Sequence, residues 1–152
     1  MTINDIRTAK NYKQTVLIVD DQSTALIIHA AAIAHIDNVK VVKLNHPKKA
    51  LDWMTINPVD LILLDHHMFD MDGLEFIRLA KLTNFGLNVP VIVITVNNES
   101  PTHQALLDAG ATHVFMKPIK LLQLIKLSDN LLAIRKMNYS KTQKHGSTLK
   151  AL

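Results

Sequence analysis

Leu61-Ile62-Leu63-Leu64-Asp65-His66-His67-Met68-Phe69-Asp70-Met71-Asp72-Gly73 decides the fold. Four uninterrupted apolar residues run into an aspartate, then a polar loop, then a glycine. An unbroken apolar run, rather than an alternating one, suits a strand covered on both faces of a parallel sheet. An acid at the carboxyl end of such a strand lies where α/β sheets place their sites.

The pattern repeats on either side. Val16 to Val19 and Val91 to Ile94 are equally apolar, and Val114-Phe115-Met116 is a shorter run. Val39 to Leu44 is broken by Lys40 and Lys43, as in an edge strand. Helix-like segments follow each run. Ser23 is expected to cap the first, which extends to about His35. Pro47 opens the second, with Ala50, Leu51 and Met54 inward, and Asn57-Pro58 stops it. The third starts after Gly73 with Phe76, Ile77 and Ala80 on one stripe. Ser100-Pro101 reads as a cap with proline at the first helical position, and Gly110 as the stop. The last helix is expected from about Lys120 to Lys136, with Leu121, Leu124, Leu127, Leu131 and Ile134 on its buried stripe and Ser128 beside it. Five alternations of strand and helix predict a doubly wound α/β domain with right-handed crossovers.

Composition narrows the chemistry. The chain lacks cysteine, which excludes disulfides and cysteine-held zinc. No apolar run reaches the roughly 18 residues that span a bilayer, and the N-terminus has no signal-peptide core. The expectation is a soluble, cytoplasmic protein. The net charge of +4 does not argue for nucleic acid, because Arg135, Lys136, Lys141, Lys144 and Lys150 follow the last acid, Asp129. That excess is a basic tail rather than a basic face. Residues 1–14 read as an N-terminal extension, 15–137 as the domain, and 138–152 as a flexible tail or linker, being polar and poor in large apolar side chains.

The strand ends bring unusual residues together. The first strand ends in Asp20-Asp21, the third in Asp65, the fourth in Thr95 and the fifth in Lys117-Pro118. Any one of them is unremarkable as a turn or cap residue. Three acids in one crevice repel each other and call for protonation, solvation or a cation. Hard oxygen donors select Mg²⁺ or Ca²⁺. His66-His67 does not suggest a histidine-held metal, since neighbours on a loop rarely point together and no third histidine follows at ligand spacing. Asp70-Met71-Asp72 has the form of a phosphatase D-x-D, yet follows a loop instead of a buried strand.

V-L-I-V-D-D at 16–21, L-I-L-L-D-H-H-M-F-D-M-D-G at 61–73, V-I-V-I-T at 91–95 and A-G-A-T-H-V-F-M-K-P at 109–118 together resemble the response-regulator receiver family. The resemblance spans about Thr15 to Met137. It implies a flavodoxin-like sheet of order 2-1-3-4-5 with helices on both faces. It implies a signalling switch of a two-component system, not an enzyme beyond slow self-dephosphorylation. By position, Asp65 matches the phosphoacceptor, and Asp20 and Asp21 the acidic pair that holds Mg²⁺, Asp21 directly and Asp20 through water. The backbone carbonyl of His67 matches a further metal ligand, Thr95 the phosphoryl-binding hydroxyl, and Lys117 the cation. The implied partners are a sensor histidine kinase or phosphotransfer protein, a downstream output domain or protein, and optionally a second copy of the chain; nucleic acid and membrane are not implied. D-D-Q-S, M-D-G-L-E-F, L-D-A-G and K-P-I are similar to receivers joined to HD-GYP cyclic-di-GMP phosphodiesterases, though these residues contain no HD or GYP motif. A phosphorylation-independent scaffold is the remaining alternative, and the intact acidic set counts against it.

The chain also departs from that family's pattern. Phe69 stands where proline is usual, Val96 where a small residue is usual, and His67 and Asn97 at variable positions. Val114 occupies the place, three before the lysine, where the family has an aromatic ring that turns inward on activation. Phe115 is expected on the opposite face of the sheet, because successive strand side chains alternate.

Overall fold

The computed structural model describes residues 12–149 apart from 84, 85 and 87. Its elements in chain order are β1 (Gln14–Val19), α1 (Ser23–Ile33), β2 (Val39–Leu44), α2 (Pro47–Met54), β3 (Leu61–Asp65), α3 (Gly73–Ala80), β4 (Val91–Thr95), α4 (Ser100–Ala109), β5 (His113–Met116) and α5 (Leu121–Leu149). All pairings are parallel, and the strand order is β2-β1-β3-β4-β5. The doubly wound five-stranded sheet expected from the apolar runs is present, with β2 at an edge.

Alternation along the central strands feeds two cores. Leu17, Val19, Ile62, Leu64, Val91 and Val93 face α2, α3 and α4, meeting Ala50, Met54, Phe76, Ile77 and Leu106. Val16, Ile18, Leu61, Leu63 and Ile92 face α1 and α5, meeting Leu26, Ile33, Leu124 and Leu132. Because both faces are covered, no side chain from Val16 to Val19 or from Leu61 to Leu64 is more than 1% exposed. Hence these apolar runs carry no polar residue before Asp20 and Asp65. Val114 packs with the first core and Phe115 with the second, as strand alternation requires.

Helix boundaries depart in detail from expectation. Gln22 and Glu99, not Ser23 and Ser100, occupy the cap positions of α1 and α4, and neither side chain makes a capping bond. Pro101 therefore sits one residue deeper than the first helical position. The cap of α3 is made by side chain: Asp72 accepts from the Glu75 amide at 2.8 Å. Gly110 ends α4 at φ 117°, a left-handed conformation that glycine adopts freely. Gly73 is favoured for a different reason. A Cβ there would lie 3.0 Å from His66 Nδ1 and 3.1 Å from its Cα, so any larger residue would force the turn after β3 to give by a few tenths of an ångström.

In α5 the fully buried line is Leu124, Ser128 and Leu132; Leu121 and Ile134 are exposed. Of the expected stripe, Leu124 is buried and Leu127 and Leu131 pack half-buried against the second core, while only its two ends, Leu121 and Ile134, lie outside it. Leu121 and Ile134 are separated by about 220° around a helix of 3.6 residues per turn, so one face cannot hold both. The helix also continues beyond the expected end at Lys136 to Leu149. Nothing between Lys136 and Thr142 breaks a helix, and core contact is not required for it to propagate.

Candidate functional site

The β1–α1, β3–α3, β4–α4 and β5–α5 connections all leave the same edge of the sheet. They bring together Asp20, Asp21 and Asp65, whose carboxylates offer one oxygen each within 4.8 Å of one another. Among the described residues this is the one cluster of three acids or histidines that close. Asp20 and Asp65 are buried and Asp21 is half-exposed, so the cluster opens on one side.

Each carboxylate is held by the chain. Asp20 accepts from the Gln22 amide at 2.9 Å. Asp21 accepts from the Phe69 amide at 2.9 Å, which draws the β3–α3 loop over the β1 end. Lys117 Nζ donates to Asp65 Oδ1 at 2.7 Å. Burial is the main cause that raises the Asp20 carboxyl to about 6 from its ordinary 3.8; the charges of Asp65 and Asp21 push the same way, while the Gln22 amide and Lys117 oppose them. Burying like charges favours the proton. A hard divalent cation relieves the same repulsion, and the all-oxygen donor set fits one.

Thr95 is fully buried at the β4 end, and its hydroxyl oxygen accepts from the Asn97 amide at 3.0 Å. The Lys117 amide donates to the Thr95 carbonyl at 2.8 Å, so the lysine's backbone is anchored to the strand that carries the hydroxyl. The Lys117–Pro118 peptide is cis. His67 lies exposed on the β3–α3 loop and pairs with Asp72 through an isolated antiparallel bridge. The residues expected at the site thus share one edge of the sheet, with Asp20, Asp21, Asp65 and Lys117 in one constellation.

Some neighbours were not anticipated. His46 Nε2 lies 3.0 Å from Asp70 Oδ2, tying the β2–α2 connection to the β3–α3 loop. His103 of α4 bonds the Asn97 carbonyl oxygen at 2.7 Å through Nε2. His29 of α1 is buried, and its imidazole is shifted towards the neutral form, first by burial and then by Lys117. His66 is likewise held towards neutrality by burial and by His67. Histidines are ambiguous in sequence, and these contacts join loops that are distant along the chain.

Comparison with known proteins places the chain in one family. Residues 16–129 match the model described as response regulator receiver domain. The chain is 37% identical over 130 residues to the cyclic di-GMP phosphodiesterase response regulator RpfG of Xanthomonas campestris pv. campestris (strain 8004), covering 85% of this chain and 34% of that protein. It is 26% identical over 106 residues to a probable chemotaxis protein CheY of Rhizobium etli, covering 70% of this chain and 82% of that one. The chain therefore spans about a third of the length of the Xanthomonas relative. Among solved structures, the receiver domain of a putative Luxo repressor from Vibrio parahaemolyticus superposes with a TM-score of 0.75 at 20% identity, covering 83% of this chain and 95% of that one. The receiver domain of a sensor histidine kinase from Pseudomonas aeruginosa PAO1, with a magnesium ion in its active-site cleft, gives 0.71 at 22%, covering 80% and 98%.

Proposed function

The chain belongs to the response regulator receiver family, and on that premise we propose that it is a phosphorylation switch whose acceptor is Asp65. One observation carries the reading: Lys117 grips one oxygen of a buried aspartate that already shares a crevice with two more acids. A purely structural aspartate would gain from the lysine but not from two further acids crowded against it.

In this mechanism the donor is a phosphohistidine of a sensor kinase or phosphotransfer protein. Lys117 holds Oδ1 of Asp65, and the second oxygen attacks phosphorus. The O–P bond forms as the P–N bond breaks, and imidazole departs. Lys117 and the Thr95 hydroxyl stabilise the charge that gathers on the equatorial oxygens. Asp20, Asp21, Asp65 and the His67 carbonyl would hold Mg²⁺. Bound there, the ion supplies positive charge to the phosphoryl oxygens and offsets the repulsion of the acids. A receiver is a phosphoacceptor and not an enzyme in its own right.

A second, compatible reading concerns output. The Xanthomonas relative is a phosphodiesterase response regulator of which this chain matches about a third. In that reading the chain is the receiver part of a larger cyclic-di-GMP regulator, and phosphorylation acts on a partner domain through the continuous helix α5. Among the described residues no helix is long and apolar enough to cross a membrane, and a cytoplasmic setting fits kinase access.

The test is incubation with acetyl phosphate and Mg²⁺, read by intact mass. Wild type should gain one phosphoryl group and Asp65→Asn none. Equal modification of both would overturn the assignment of the acceptor.

A further inference from the structure

The floor of the crevice is charged, but two of its lips are apolar and exposed. Phe69, on the β3–α3 loop, is 93% exposed. Val96, directly after Thr95 on the β4–α4 connection, is 64% exposed. Single exposed apolar side chains are ordinary on a surface. Phe69 differs because its own amide bonds Asp21, and the side chain of the next residue, Asp70, meets His46. A bare ring thus stands on a loop whose amide is tied to an acid of the cluster.

In-line transfer dictates what passes this mouth. The attacking oxygen of Asp65, the phosphorus and the leaving atom must be roughly collinear. Asp65 lies at the bottom of the crevice, so the leaving group lies outward, between the lips. We propose that Phe69, together with Val96 beside Thr95, forms an apolar rim that receives the imidazole ring of a phosphohistidine donor and makes the site selective for ring-bearing donors. The inference rests on Asp65 being the acceptor and names which residues read the donor.

The chemistry favours that occupant. Before transfer the donor ring carries a proton from solvent on its unphosphorylated nitrogen. As the Asp65 O–P bond forms and the P–N bond breaks, the nitrogen keeps the electron pair and neutral imidazole leaves. An aromatic face attracts a flat, positively charged ring in the incoming state and still packs on the neutral one that departs. Ammonia, leaving from phosphoramidate, presents no surface to the rim.

The two small donors separate these effects without a cognate kinase. Phosphorylation with Mg²⁺ is followed by intact mass, using monophosphoimidazole and phosphoramidate in parallel, and the readout is the ratio of the two rates. Phe69→Ala keeps the amide that bonds Asp21 and removes only the ring. It should lower the imidazole-to-amidate ratio roughly threefold to tenfold, the scale of one aromatic ring contact. Phe69→Tyr should restore a ratio within about twofold of wild type, since the ring face returns. An unchanged ratio in Phe69→Ala, or an equal fall in both rates, would overturn the rim. Asp65→Asn should react with neither donor. Reaction of that variant would instead overturn the acceptor assignment on which the rim depends.

Discussion

Two aspartates flank β3, and the fold treats them in opposite ways. Asp60 precedes the strand and is fully buried. Its carboxylate accepts from the Thr15 amide at 2.9 Å, from the Tyr12 hydroxyl and from Arg135 Nε at 3.2 Å. The same guanidinium also donates to the carbonyls of Asn88 and Val59, and Tyr139 lies 5.1 Å from it as a cation–π partner. Asp65, five residues on, has Lys117 on one oxygen and two further carboxylates nearby. One end of the strand is a saturated clasp of donors around an acid, joining the start of β1 to α5. The other end concentrates charge that the chain only partly answers. Reactivity is to be expected where polar groups are left competing, and rigidity where they are satisfied.

The largest effect that separates the two ends is chemical. Asp65→Asn should abolish phosphorylation by acetyl phosphate, read by intact mass. It should lose no more than about 1 kcal/mol of stability, because Lys117 remains partly solvated and a repelling charge is gone. A large loss of stability would make Asp65 a structural residue and collapse the contrast.

Asp60→Ala should behave in the opposite way. Removing one member of a buried, hydrogen-bonded pair strands the Arg135 charge and should cost about 3–5 kcal/mol in urea denaturation. The fraction that remains folded should still be phosphorylated on Asp65. Asp60→Asn, which keeps acceptor capacity for Thr15 and Tyr12, should lose less. If Asp60→Ala is as stable as wild type, the clasp is not what secures α5.

Asp20 sharpens the comparison through pH. Its folded pKa of about 6 lies above the ordinary 3.8, so folding favours the protonated form. Without metal, stability should fall as pH rises from about 4 through 6, by up to about 3 kcal/mol at 1.36 kcal/mol per unit. Asp20→Asn should flatten that slope and melt higher than wild type at pH 7.5 in EDTA. Mg²⁺ should stabilise wild type at pH 7.5 and much less at pH 5, where the proton competes. A melting profile with the same slope in both proteins would show that Asp20 is not the titrating group.

The contrast between the two ends also explains what was legible in the sequence. The reactive end announces itself, because acids, a threonine and a lysine interrupt apolar runs at strand ends, and the winding rule sends those ends to one edge. The clasp does not announce itself. Asp60 follows Asn57-Pro58-Val59 and looks like a turn residue, Tyr12 falls in what reads as an extension, and Arg135 looks like the start of a basic tail. Their partnership spans 48 and 75 residues and exists only once α5 crosses the sheet. Caps were misplaced by one residue because serine is favourable both at a cap and in the turn that follows. The ends of the α5 stripe were overextended because apolar spacing continues past the turns that meet the core, leaving Leu121 and Ile134 exposed while Leu124, Leu127 and Leu131 pack inward.

The smallest expected effect concerns β5, where the contrast reaches the switch. In relatives, activation turns an aromatic side chain inward from the position occupied here by Val114. Valine has few rotamers and no ring to swing. Val114 pairs in register with Val93 and packs with the core beneath α2 to α4, whereas Phe115 pairs with Ile94 and packs with the core beneath α1 and α5. Phe115 is further engaged by His113, two residues earlier and on the same face, with ring centroids 4.4 Å apart. To replace the missing ring, Phe115 would have to cross the sheet, which requires a one-residue slip of the whole β4–β5 register. Phosphorylation is therefore expected to move the Thr95 hydroxyl and the loop around Val96 to Ser100 while Phe115 stays in place. Structures with and without a beryllofluoride mimic on Asp65 should show the Phe115 ring within its ordinary thermal displacement. A ring that passes to the Thr95 side would mean that β5 slips, and that the strand alternation which placed Val114 and Phe115 on separate faces does not hold in the active state.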